Sequence, residues 1–182
     1  IVGGSSRRGV VAACSYEARK FGVHAAMPVR LALQLCPDAT IISGDMDSYS
    51  RHSHLVTEVI AAQAPLFEKS SIDEFYIDAS GMDRFFGAFK WACQLRSEII
   101  RESGLPISLA MSVNKMVSKV ATGEFKPNAE KDIAPGTERD FLAPLAVEKL
   151  PMVGTQTADF LHDMGVRTVA TLREMPLRVL TH

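Results

Sequence analysis

The sequence predicts an α+β fold, an antiparallel sheet backed by helices, and three observations carry that reading. Short runs of apolar, β-branched and aromatic residues, four to seven long, are spaced along the chain, too brief for helices. Between them lie longer segments whose apolar residues recur at the helical period of 3.6. Two of the short runs are consecutive at the centre of the chain, so the order is not the strict strand–helix alternation of a parallel sheet.

Val10 to Ala13 reads as a strand leading into Ser15-Tyr16-Glu17-Ala18-Arg19-Lys20. Pro28 opens a helix with Val29, Leu31, Ala32, Leu35 and Cys36 on its apolar side, and Pro37 ends it. Ala39 to Ile42 reads as a short strand. Asp45 or Asp47 can cap a helix reaching Ala64, with Leu55, Val56, Val59 and Ile60 facing inward. Leu66 to Ser70 and Phe75 to Asp78 read as a hairpin around Ser71-Ile72-Asp73-Glu74. A helix from Arg84 to Ser103 follows, stopped by Gly104. Ile107 to Val113 is a strand, and Asn114 starts a helix that breaks near Gly123. From Pro135 the pattern changes to short helices separated by Pro and Gly, which places a boundary there, with a softer one near Ser43.

The 182 residues are 47% hydrophobic and 23% charged, values that exclude a disordered tail or a fibrous repeat. No apolar run approaches the roughly 20 residues that cross a bilayer. The chain opens on Ile1-Val2-Gly3-Gly4, without an initiator Met or a signal-peptide pattern, and so reads as a fragment. Cys14, Cys36 and Cys93 are odd in number and form no C-x-x-C pair, so each is expected to be a small buried hydrophobe in a reducing cytoplasm. The net charge of −1 conceals an uneven distribution. Residues 1–37 carry five basic and one acidic side chain, whereas residues 38–110 carry six basic and eleven acidic. Such an arrangement suits cations held at the centre and phosphates beside them, and equally a chance scatter of solvated charge.

Asp73 and Glu74 are the strongest candidates for chemistry. On a regular strand adjacent side chains point to opposite faces, but at a hairpin tip two carboxylates can converge. Hard divalent ions are held by one or two carboxylates plus substrate phosphates. A bare Asp-Glu pair is also what a solvated turn looks like. Tyr16 and Arg19, three residues apart, share a face on a first helical turn, and a guanidinium grips phosphate bidentately. Lys126 stands before Pro127 in a stiff extended segment, and Asn114-Lys115 opens a helix.

Ser15-Tyr16-Glu17-Ala18-Arg19-Lys20-Phe21-Gly22-Val23, Ala26-Met27-Pro28, Leu35-Cys36-Pro37, Ser71-Ile72-Asp73-Glu74 and Lys126-Pro127-Asn128 together resemble the signature blocks of the Y-family translesion DNA polymerases, of the DNA polymerase IV branch. The blocks stand in the family's order over essentially the whole chain. The resemblance implies fingers over residues 1–45, a palm over 46–135 and the start of a thumb over 136–182. It implies that Asp73 and Glu74 are catalytic and bind metal, two Mg²⁺ ions in the intact enzyme, and that Tyr16, Arg19 and Lys126 bind the nucleotide triphosphate. Leu150-Pro151-Met152-Val153-Gly154 is similar to the thumb's helix-hairpin-helix, with Gly154 on DNA phosphates. The implied partners are primer-template DNA and deoxynucleoside triphosphates, with a sliding clamp reached through regions outside these residues, and no membrane.

The chain departs from the family in four places. A strand bearing a further metal-binding Asp and an aromatic steric gate belongs before Ile1, and a little-finger domain belongs after His182. The fragment alone is therefore expected not to extend a primer. Ala129 and Ala110 stand where glycines are common, with local consequences only. A non-catalytic polymerase-like module for DNA binding or recruitment is the alternative, and loss of the acidic pair would be its mark. A small-molecule phosphotransferase would have no need of the helix-hairpin-helix.

Overall fold

A computed structural model describes residues 1–4, 9–82 and 87–180. The chain divides into two compact units, Ile1–Arg51 and His52–His182.

In the first unit, β1 (Val2–Gly3) pairs antiparallel with β2 (Val11–Ala13). Ser15 caps the single turn α1 (Tyr16–Arg19), its hydroxyl accepting from the Ala18 amide. Pro28, with its φ fixed near the helical value and no amide hydrogen to lose, precedes α2 (Val29–Leu35). Val11, Ala18, Val23, Met27, Val29 and Ala32 close a small core from these elements, with Cys14 and Cys36 packed against it. The predicted strand at residues 39–42 does not form. Only Ile42 bridges to Val2, because β1 is two residues long and offers a partner for no more. Asp45 rather than Asp47 caps α3 (Met46–Gln63), accepting from the Ser48 amide at 3.0 Å.

In the second unit, β3 (Phe67–Lys69) and β4 (Phe75–Ile77) form an antiparallel hairpin in which Glu68 faces Tyr76. Phe67, Phe75 and Ile77 lie against a core of Val56, Ile60 and Ala64 from α3 and Leu95 and Ile99 from α4 (Ala88–Ser103). Gly104 ends α4 in the left-handed conformation, φ 70°. The predicted start of α4 at Arg84 lies outside the described residues. β5 (Leu109–Met111) leads to α5 (Lys115–Phe125), capped by Asn114, whose side chain accepts from the Val117 amide at 3.0 Å.

Two expectations fail here. The α5 helix runs through Gly123 to Phe125, because buried Val117, Val120 and Ala121 and a Phe125–Phe141 stack outweigh the roughly 1 kcal/mol that one helical glycine costs. A strand that its charged sequence does not announce, β6 (Glu130–Asp132), pairs parallel with β5. Helix α5 is the crossover between them, and a strand–helix–strand unit of this kind pairs in parallel. The sheet is thus not uniformly antiparallel: the described strands make three two-stranded ladders, one of them parallel. Beyond β6 follow α6 (Glu138–Leu142), a 3-10 turn (Val147–Lys149), α7 (Thr155–Asp163), α8 (Val169–Glu174) and α9 (Leu177–Leu180). Val147, Leu161 and Val166 pack this end into its own small core. Among the described residues no helix is long and apolar enough to cross a membrane.

Candidate functional site

The loop joining β3 to β4 is folded by its own polar groups. The Ser70 and Ser71 amides both donate to the Glu74 carbonyl, at 2.9 and 3.3 Å. The Ser71 hydroxyl donates to the Asp73 carboxylate at 2.8 Å, and buried Ser53 of α3 donates to the Ile72 carbonyl at 2.5 Å. Asp73 therefore sits in the loop, exposed, while Glu74 stands half-buried just before β4 begins. The two carboxylates are adjacent where the alternation of a strand does not apply.

Across from them, α5 presents two lysines one turn apart. Lys115 pairs with Glu68, and its ammonium lies 5.4 Å from the centre of the Tyr76 ring. The Lys119 ammonium donates to both oxygens of Glu74, each at 2.6 Å. Hydrogen bonding to Glu74 is the main cause of a Lys119 pKa above the usual lysine value; burial opposes it, and the charges of Glu74, Tyr76 and Asp73 add to it. Both carboxylates thus act on one cation, which places them in a common field.

Lys126 follows α5 as an exposed residue in extended backbone, φ −55° and ψ 147°. The turn after it is held from α4. Arg96, its side chain only 11% exposed, donates to the Ile107 carbonyl, to Glu130 and to Asn128. Asn128 takes the left-handed conformation, φ 49°, and Ala129 does not, so the alanine where glycine is common costs no backbone strain. On the far side of Arg96, Cys93 is half-buried and not the fully buried hydrophobe predicted for each cysteine; Cys14 and Cys36 are half-buried as well. Desolvation first, and the neighbouring Glu130 second, push the Cys93 thiol up to about 11.

In the first unit, the Arg19 guanidinium lies 5.4 Å from the centre of the Tyr16 ring, and Tyr16 is 44% exposed. Among the described residues no carboxylate is within ion-pair distance of Arg19. Gly154 stands at the N-cap of α7 with φ −83°, in ordinary extended backbone, and a Cβ there would meet nothing within 4 Å. The left-handed residue of that turn is Met152, φ 70°. Gly154 thus leaves an open approach to the backbone, not a conformation that only glycine can adopt.

Lys119 and Arg96 were not singled out by the sequence reading. The i, i+4 spacing of Lys115 and Lys119 opposite a hairpin carrying Glu68 and Glu74 is the signal for the first. A lone arginine on a helix gives none for the second. Among the described residues no cluster of three or more His, Cys, Asp or Glu side chains could hold a metal. Asp73 and Glu74 nevertheless fit a hard divalent ion in kind: they are oxygen donors, a cation is already drawn to them, and such ions complete their shells with water and substrate phosphate.

The impB/mucB/samB family matches residues 1–123, which include Tyr16, Arg19, Asp73, Glu74 and Lys119 and stop short of Lys126 and Gly154. Over 179 residues the chain is 39% identical to a protein of Methanosarcina mazei named DNA polymerase IV 2, covering 98% of this chain and 48% of that one. It is 40% identical over 182 residues to a DNA polymerase IV of Shewanella amazonensis, covering 99% and 51%. The chain therefore spans about half the length of the curated relatives it matches. Among solved structures, DinB from Sulfolobus solfataricus superposes with a TM-score of 0.89 at 28% identity, covering 99% of this chain and 54% of that one. An insertion ternary complex of Dbh DNA polymerase gives 0.87 at 28% identity, covering 99% and 54%.

Proposed function

This chain belongs to the impB/mucB/samB family, the Y-family DNA polymerases that its sequence blocks resemble, and from that premise we propose that it carries the fingers, palm and first part of the thumb of a template-directed translesion DNA polymerase. Primer-template DNA and deoxynucleoside triphosphates are its substrates, and its working compartment is the cytoplasm. The observation that carries the reading is the pair Asp73–Glu74, set on a braced hairpin loop with a cation drawn to it.

In this reading Asp73 and Glu74 hold divalent metal, two Mg²⁺ ions in the complete site. When bound, those ions stabilise the negative charge that develops on the transferring phosphoryl group. The residues of this chain do the rest by position. Ser53 and Ser71 fix the loop so that the two carboxylates do not reorganise on binding, which is where preorganised electrostatics gains its effect. Arg19 and Tyr16 bind the triphosphate, the guanidinium through its paired N–H groups. Lys126 offers a point charge to triphosphate as well. The open backbone at Gly154 approaches DNA phosphates without reading bases. A sliding clamp would be met by sequence outside these residues. The test is primer extension by a version of the protein long enough to include the flanking sequence, with and without Asp73→Ala. Extension that survives the substitution refutes the role of the acidic pair.

A further inference from the structure

Lys119 holds Glu74 in a way the rest of the hairpin–helix contact does not require. Helix α5 is tied to the hairpin one turn earlier by Lys115 and Glu68, an ion pair that leaves Asp73 and Glu74 untouched. Lys119 adds little to that docking. Its side chain is 38% exposed and that of Glu74 is 41% exposed, and ion pairs so open to water stabilise a fold only slightly. Its geometry is instead that of an ion on a carboxylate. The ammonium sits 2.6 Å from each of the two oxygens, using both at once. No other cation among the described residues pairs with Glu74.

We propose that Lys119 is the resident counter-cation of the acidic pair: it occupies the Glu74 oxygens in the metal-free protein and competes with the divalent ion for them. Metal entry is then an exchange of one cation for another. This rests on the reading of Asp73 and Glu74 as metal ligands. The exchange has two consequences. Without metal the carboxylates are held in place and do not repel one another. With metal, the ion must displace an ammonium, so the site is weaker for a lone ion than its two carboxylates alone would make it. The lysine side chain is long and half-exposed, so displacement needs rotation about its own bonds and no movement of α5.

The experiment is a Mn²⁺ titration of the 182-residue chain followed by NMR, reading paramagnetic broadening of the amides of residues 71–76, which detects weak binding and needs no activity. In the parent chain broadening should be centred on those residues and be lost in Asp73→Asn. In Lys119→Met the Mn²⁺ concentration giving half-broadening should fall by about fivefold, the size of an exposed ion pair removed from the competition. Lys115→Met, the control on the same helix, should leave it unchanged. Lys119→Gln, which keeps a polar side chain, should repeat the result if Lys119→Met does not fold. Without metal, Lys119→Met should melt lower than the parent and recover more of the difference on adding Mn²⁺. A folded Lys119 variant needing as much Mn²⁺ as the parent overturns the competition while leaving the metal site standing. Broadening in the parent that Asp73→Asn does not alter, or none at residues 71–76, overturns the metal reading itself and the exchange with it.

Discussion

Lys119 and Lys126 lie seven residues apart, one within α5 and one at its end, and they are used in opposite ways. Lys119 is neutralised in place by Glu74, and Lys115, one turn earlier, by Glu68. Lys126 has no carboxylate within ion-pair distance among the described residues, and neither has Arg19 in the other unit. The difference teaches how to sort cations near an acidic centre. A lysine already paired inside the fold is occupied with keeping acids in place. A cation held by backbone or by an aromatic ring, with no acid of its own, is available to an anion that arrives from solution. Arg19, beside the Tyr16 ring, and Lys126, ahead of a turn braced by Arg96, meet that condition and are the two cations proposed above as phosphate ligands.

The largest effect should come from the acids themselves. In any version of the protein that extends a primer, Asp73→Ala should lower primer extension by about 10²–10³-fold or more, at least the cost of removing one preorganised electrostatic group from a transition state. Affinity for primer-template should stay within a few fold, since Asp73 is exposed and braces no other element. Equal loss of DNA binding in a mobility-shift assay would place Asp73 in the fold instead.

The next effect separates the unpaired cations from the paired ones. Arg19→Ala should raise KM for the deoxynucleotide roughly tenfold to a hundredfold, the worth of a charge-assisted bidentate contact of about 1.5–3 kcal/mol. Lys126→Ala should act in the same direction and by less, as a point charge without the fork. Lys115→Ala, which removes a paired cation, should leave KM near the parent value. Steady-state kinetics at fixed primer-template checks all three, and a larger effect at Lys115 than at Arg19 would break the comparison.

Arg96 tests whether the brace behind Lys126 matters. Its replacement by Met leaves the half-buried Ile107 carbonyl and the exposed Glu130 and Asn128 without their donor, which comes from a side chain only 11% exposed. The expected cost is about 1–3 kcal/mol, readable from urea denaturation. Gly154→Val should do less. The backbone there already has an extended φ, so the fold should be unchanged, while DNA affinity falls about threefold to tenfold, as for one hindered backbone hydrogen bond. The loss should be equal across DNA sequences, because phosphate contacts carry no base readout.

How much of this was legible beforehand follows the range of the interactions. Elements set by local signals were readable: a cap at Asp45 or Asp47, the Asn114 cap, the Gly104 stop, the helix after Pro28 and the hairpin around residues 71–74. The failures are all long-range. Residues 39–42 needed a partner strand longer than Val2–Gly3. The charged β6 exists because α5 carries the chain back beside β5 and Arg96 takes Glu130. Helix α5 passes Gly123 because Phe141, sixteen residues past Phe125, stacks on its last turn. Asp73, Glu74, Tyr16, Arg19 and Lys126 were proposed as functional residues from sequence blocks. Lys119 and Arg96 were not, since their meaning lies in partners 45 and about 30 residues away.

The smallest effect, with no consequence at neutral pH, concerns the cysteine beside that brace. Cys93 is held at about 11 by desolvation and by Glu130, above the ordinary thiol value near 8.5. The sign follows from proton counting. Between those two values the unfolded thiol has lost its proton and the folded one keeps it, so folding binds a proton and stability falls as pH rises through that window. Below about pH 8 both states are protonated and the effect vanishes. The slope cannot exceed about 1.4 kcal/mol per pH unit for one group and should be well below it for a thiol only half-buried. Urea denaturation at pH 8, 9 and 10 of the parent and of Cys93→Ala should show a decline in the parent that is shallower in the variant. Alkylation of Cys93, followed by peptide mass spectrometry, should still be accelerating at pH 10. An alkylation rate already level by pH 9 would mean that the thiol is open to water and that Glu130 belongs to Arg96 alone.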